Sequence, residues 1–170
     1  MHYLYHIPAS CFPAFGRRTF PPRLQNGASK SDVSEWNLNN DFFSNMYRAW
    51  KDNKPVESKL YLRYECATNT LYALVLCEPG VTIDPIADEN WIKVSGTKLV
   101  DGTSDNNGTP PDFQYINQDK QVIGWEASIH LAPGTYNTFT VHAGVLDGGK
   151  SQTSGTPNKA ISLYIDCSPT

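Results

Sequence analysis

Lys59–Cys66, KLYLRYEC, and Leu71–Cys77, LYALVLC, flank the short stretch ATNT, and this segment decides the fold. Leu60, Leu62 and Tyr64 alternate along the first arm, and Leu71, Ala73 and Val75 along the second. A period of two is the signature of strands with one face in a core. With Thr68 and Asn69 at the turn, Cys66 is expected opposite Leu71, Tyr64 opposite Ala73, Leu62 opposite Val75 and Leu60 opposite Cys77. The reverse face carries Tyr61, Arg63, Glu65, Tyr72, Leu74 and Leu76. It is half apolar, so the hairpin is expected to be central and covered on both sides.

Working outward, WIKV (91–94) and TKLV (97–100) read as short strands around Gly96. GWEASIHL (124–131) and TYNTFTVHAGVL (135–146) read as a second hairpin around Ala132-Pro133-Gly134. A register pairing Ile129 with Phe139, Ala127 with Val141 and Trp125 with Ala143 collects the apolar residues on one face. It also sets Glu126 beside His142 on the other. AISLYIDC (160–167) reads as a closing strand with Ile161, Leu163 and Ile165 inward. Upstream, Phe42, Phe43, Met46, Tyr47 and Trp50 recur at helical spacing behind a cap at Asp32 or Ser34, which predicts one short helix.

The expected fold is therefore all-β: a two-sheet antiparallel β-sandwich, jelly-roll or immunoglobulin-like, with one short helix near the start. Residues 28–170 form this single domain. Twelve Gly and twelve Pro punctuate the 170 residues at the short intervals a sandwich needs. Residues 1–27 differ in texture, with aromatics lacking any period, and read as an N-terminal extension or linker; the alternative is an edge strand added by residues 2–8. No continuous apolar stretch follows a basic start, so no signal peptide is visible. No apolar run reaches the roughly 18 residues of a membrane span. A net charge of −3 with no basic stripe argues against nucleic acid as a partner.

The cysteines are Cys11, Cys66, Cys77 and Cys167. The hairpin holds Cys66 and Cys77 roughly 20 Å apart, at ~3.3 Å per residue, beyond the reach of a disulfide. Cys167 leaves the last strand on its apolar side and can reach one of them. Cys66–Cys167 is the favoured bridge, with buried thiols as the alternative.

Candidate chemistry is sparse. Glu126 and His142 side by side would allow acid–base work in a cleft, although an exposed cross-strand pair is the plainer reading. No nucleophile elbow, phosphate loop or dinucleotide fingerprint occurs, so no enzyme is expected. Asp101, Asp105, Asn107 and Asp112 offer oxygen ligands of the kind Ca²⁺ takes, yet Asn106 stands where an EF-hand needs Gly. Asn107-Gly108-Thr109 is a glycosylation sequon followed by Pro110. Flat aromatic faces stack on sugar rings while polar neighbours satisfy the hydroxyls. Of Trp36, Trp50, Trp91 and Trp125, Trp91 is the one expected near a rim, and Tyr115 and Tyr136 lie in or beside loops.

SEWNL (34–38), KLYLRYECATNTLYALVL (59–76) and GWEASIHL (124–131) together resemble the family 9-like carbohydrate-binding modules and DOMON-related sandwiches, over residues ~28–167. Trp36, Leu71-Tyr72 and Glu126 to Leu131 stand where that family carries its short motifs. The resemblance implies an extracellular, non-catalytic module, secreted or at the cell surface, that binds glycan and holds calcium. The alternative is a structural subunit of an extracellular matrix or filament, whose copies pair through the N-terminal segment.

Overall fold

The computed structural model describes residues 4–8, 33, 36–48, 52, 54–78, 81–85, 89–95, 97–100, 113–131, 136–147, 150–154 and 160–167. They form eleven strands: β1 (Leu4–Pro8), β2 (Phe42–Arg48), β3 (Pro55–Glu65), β4 (Thr70–Leu76), β5 (Trp91–Val94), β6 (Thr97–Leu99), β7 (Phe113–Gln118), β8 (Gln121–His130), β9 (Tyr136–Asp147), β10 (Lys150–Ser154) and β11 (Ile161–Asp166). All seven strands expected from the sequence are present, joined by β1, β2, β7 and β10.

The hydrogen-bonded order is β1-β11-β9-β10-β2-β3-β4-β8-β7, with β5 and β6 attached to β9. Every pairing is antiparallel except β1 on β11, which is parallel. β9 is used on both edges: Val141 faces Ile161 of β11 and Val94 of β5, while Gly144 faces Thr153 of β10 and Trp91 of β5. β10 then carries the ladder round a corner to β2. The result is one nearly closed, barrel-like sheet.

Its interior is filled by alternate residues, with Leu60, Leu62 and Tyr64 of β3 meeting Leu71, Ala73 and Val75 of β4, Trp125 and Ala127 of β8, Val141 and Ala143 of β9, and Leu163 and Ile165 of β11. Contacts cross the core: the Tyr64 and Phe139 rings stack at 6.2 Å, and the Trp125 indole donates to the Gly144 carbonyl at 3.1 Å. The outer face of β3, β4, β7 and β8 is covered as well. Trp36 lies over Tyr61, Leu74 and Ile116 in a second cluster, so the central hairpin is indeed buried on both sides.

Three expectations are corrected in detail. The hairpin register is shifted by two residues, with Tyr64 opposite Leu71 and Leu62 opposite Ala73. The loop spans four residues, 66–69, and only Asn69 of the expected Thr-Asn pair has positive φ, at 51°. A two-residue type I′ turn would need positive φ at both. A shift of two keeps every side chain on its face, so the face assignment stands.

Phe42–Arg48 is a strand, and no helix occurs among the described residues. Register shifts between Phe42 and Ser44 and between Asn45 and Tyr47 interrupt its ladder with β3. Bulges of this kind break strict alternation and give the apolar residues the three-residue spacing that reads as a helix. Trp50, Asp32 and Ser34 lie outside the described residues.

The expected β8–β9 hairpin does not form. β8 pairs with β4 and β7, and β9 with β11, β5 and β10. The two apolar faces do meet, but across the core rather than edge to edge.

Candidate functional site

Because β8 and β9 face each other through the core, their outward residues point to opposite sides of the molecule. Glu126 and His142 are therefore separated, and the expected acid–base pair is not assembled.

Glu126 is fully buried beneath the Trp36 segment. Its carboxylate accepts from the Trp36 indole at 3.2 Å and from the Gln114 amide at 2.8 Å. Beside it, Arg63 pairs with Asp41, and both are 5 % exposed. The Arg63 guanidinium also lies 5.4 Å from the Trp36 ring. Asp41 closes its own turn by accepting from the Asn37 backbone N–H at 2.8 Å, while the Asn37 side chain accepts from the N–H groups of Asn39 and Asn40 at 3.1 and 3.0 Å. Such Asx geometry is what Asn and Asp supply in turns. The cluster is a polar lock that fastens residues 36–41 over the sheet. With both charges paired and the carboxylate satisfied, it holds structure rather than substrate.

The other side of the barrel is different. β5 and β6 form a tight hairpin at Ser95, whose φ is 47°. This hairpin lays three strands side by side, β6, β5 and β9. Trp91 stands opposite Gly144, and Lys93 stands between Lys98 and His142. Trp91 is half-buried, and its indole lies across the glycine: a Cβ at Gly144 would fall 2.5 Å from the ring. The His142 ring meets the indole edge-on at 4.8 Å, and the Lys93 ammonium sits over it at 5.3 Å. Trp91 and His142, two candidates from the sequence, are thus in contact on one outward face. Lys93, Lys98 and Gly144 complete the group. They were missed because strand alternation shows that a residue points outward but not which strand lies beside it.

The remaining candidates scatter. Tyr115 is buried against Phe113 at 6.0 Å rather than in a loop. Tyr136 opens β9 opposite Asp166, six residues and ~20 Å along the strand from His142. Trp36 and Trp125 are buried. Asp101, Asp105, Asn107 and Asp112, and with them the calcium and glycosylation expectations, lie outside the described residues, as does Cys11. Among the described residues no three His, Cys, Asp or Glu side chains come together as a metal site. Cys66 and Cys167 are bridged, with Cα atoms 5.6 Å apart. No helix among the described residues is long and apolar enough to cross a membrane.

A separate open cleft of about 1060 Å³ lies between β2, β3 and β10. Arg48, Lys59 and Lys150 oppose Glu57 and Glu78 along its walls, and Arg48 is already bound to Asp52 at 2.9 Å. Its Tyr61 is buried, and burial holds the phenol pKa above that of a solvated tyrosine. The cleft has balanced charge and offers no open aromatic plane.

No family model, curated protein or solved structure matches the chain, so the functional reading rests on this geometry.

Proposed function

We propose that the protein is an extracellular, non-catalytic glycan-binding module whose binding face is built on Trp91. The carrying observation is the indole laid across Gly144 on an outward sheet face, with His142 and Lys93 against it. An aromatic plane bordered by polar groups is the arrangement that stacks on a pyranose ring and satisfies its hydroxyls. The Cys66–Cys167 bridge supports an oxidising compartment. Two facing halves, β6-β5-β9-β11-β1 and β2-β3-β4-β8-β7, support reading the barrel as a flattened sandwich of the kind the sequence resemblance implies.

The test is a glycan array spanning neutral and acidic polysaccharides, read for the native chain and for Trp91→Ala. The expected result is binding that Trp91→Ala abolishes while the thermal transition stays within a few degrees. Binding undiminished in Trp91→Ala would move the site elsewhere, and no binding to any glycan would refute the reading.

One observation favours a second reading, assembly through the N-terminal segment. Among the described residues β1 pairs with β11 alone, in parallel, at the end of the sheet path. A strand held by one neighbour at a sheet edge is suited to being exchanged between copies. This reading requires concentration-dependent oligomers that vanish when residues 1–27 are deleted. A chain that stays monomeric at all concentrations removes it.

A further inference from the structure

We propose that the seam between β10 and β2 is a gate: β10 unzips from β2 while staying on β9, and the cleft between β2, β3 and β10 widens. The proposal is independent of the glycan reading.

The seam is the shortest ladder on the sheet path. It runs over Gln152–Arg48, Thr153–Tyr47 and Ser154–Met46, whereas the central hairpin pairs without interruption from Lys59–Leu76 to Glu65–Thr70. Part of even this length is unused. The Arg48 N–H is given to the Lys54 carbonyl at 2.9 Å, away from β10. Successive residues of a strand turn their backbone groups to alternate edges, so the Thr153–Tyr47 pair carries the seam. β2 is loosely tied on its other edge too, where two register shifts break its pairing with β3. β10, by contrast, is anchored on β9. It pairs there from Lys150 to Thr153, and the Ser154 hydroxyl accepts from the Ala143 N–H at 2.8 Å.

Side chains do not make up the difference. β10 brings no apolar residue to the seam. Among the described residues, every buried side-chain nitrogen or oxygen that lacks a hydrogen bond from the protein lies on these two strands, Ser44 Oγ, Arg48 Nε and Thr153 Oγ1 among them. Thr153 is 5 % exposed. A hydroxyl buried without a partner loses its hydration and gains little in return. Opening the seam rehydrates such groups, so closure is only weakly favoured. The two facing halves stay joined while it opens. The Cys66–Cys167 bridge links β3 to β11, and the Ile83 and Asp84 N–H groups donate to Val122 of β8 and Leu146 of β9 at 2.8 and 3.0 Å.

Lys150 and Gln152 of β10, with Asn45 and Arg48 of β2, are walls of the cleft. Cys77, directly after β4, lines the same cleft; it is half-buried and lies outside the bridge. Displacing β10 from β2 therefore changes access to this thiol, which makes it a reporter of the gate.

The experiment follows amide hydrogen exchange by NMR on the full chain, together with maleimide labelling of Cys77 in a Cys11→Ser background. The Tyr47 and Thr153 amides should exchange at least about a hundredfold faster than those of Leu71–Val75, through a local rather than a global opening. Thr153→Val removes the buried hydroxyl and nearly keeps the shape. It should slow both seam amides roughly tenfold, and Cys77 labelling by the same factor. Thr70→Val is the control, because the Thr70 hydroxyl is bonded to that of Thr68 at 2.9 Å; it should slow neither. Seam amides as protected as those of β4 would overturn the gate. Faster exchange in Thr153→Val would overturn it as well, since the hydroxyl would then be holding the seam through water. Slower seam exchange with Cys77 labelling unchanged would confine the opening to the two strands and remove its link to the cleft, which also overturns the proposal.

Discussion

Arg63→Met tests whether the Trp36 segment is held down by charge. Arg63 and Asp41 are both 5 % exposed, so neither can recover hydration in place when its partner is removed. The pair is joined by Arg63 Nε at 3.3 Å from Asp41 Oδ1 and by a second bond from Nη2 to Oδ2. Removing one member of such a pair costs about 3–5 kcal/mol, mostly as the penalty for the charge left behind. In Arg63→Met the stranded group is Asp41, which keeps the Asn37 N–H as a donor. In Asp41→Leu it is the guanidinium, left against the Trp36 ring. For a chain of this size each kcal/mol lowers Tm by about 2–4 °C, so each single variant should melt roughly 10 °C below the native chain. The double variant strands neither member of the pair and should recover all but about 1–2 kcal/mol. Urea denaturation at pH 7, followed by tryptophan fluorescence, measures all four corners of the cycle. Acrylamide quenching shows whether Trp36 becomes accessible before the global transition. Single-variant losses under about 1 kcal/mol, or a double variant whose loss is the sum of the singles, would refute the reasoning.

Cys66→Ser/Cys167→Ser opens a bridge spanning 101 residues; chain entropy sets its contribution near 4–5 kcal/mol, so urea curves with and without reductant should differ for the native chain and coincide for the variant. Tyr61 has its folded-state pKa raised by burial, so the folded chain holds that proton more tightly than the unfolded one. Its contribution is complete below the ordinary phenol pKa of ~10 and is lost as pH rises through the folded value. Urea midpoints from pH 9 to 11.5 should accordingly fall more steeply for the native chain than for Tyr61→Phe. Gly144→Ala places a methyl where the Trp91 ring lies. It should tilt the indole off β9 and weaken glycan binding at least tenfold with a smaller effect on Tm, compared by titration and calorimetry.

Most strands were legible because their residues alternate without interruption. β3, β4, β5, β8 and β11 each carry at least two inward apolar residues at period two. The strands that escaped notice lack that signal or have it masked. β10 is Lys-Ser-Gln-Thr-Ser, with no apolar side chain, yet Gln152, Thr153 and Ser154 are buried. What holds it is polar: the Ser154 hydroxyl accepts from the Ala143 N–H at 2.8 Å, and the strand closes the corner between β9 and β2. β7 opens at Phe113, directly after a run of polar residues and prolines that masks its start. Glu126 was legible as an outward residue, but not as a buried one, because its cover comes from Trp36, 90 positions away.

The candidate site was half legible for a related reason. Alternation fixes the face on which a side chain lies and leaves open whether two alternating segments join at their edges or pack through their faces. Trp125–Ala127–Ile129 and Phe139–Val141–Ala143 satisfy both arrangements equally, and the short stretch between them suggests a hairpin. The deciding residues lie elsewhere. β4 offers β8 a full edge from Thr70 to Leu76, and β11 offers β9 another from Ile161 to Asp166, so neither strand needs the other as an edge partner. The change from edge to face packing separates His142 from Glu126 and brings it to Trp91. It thereby dissolves the expected acid–base pair and sets His142 against an outward aromatic ring instead, the contact on which the proposed site rests.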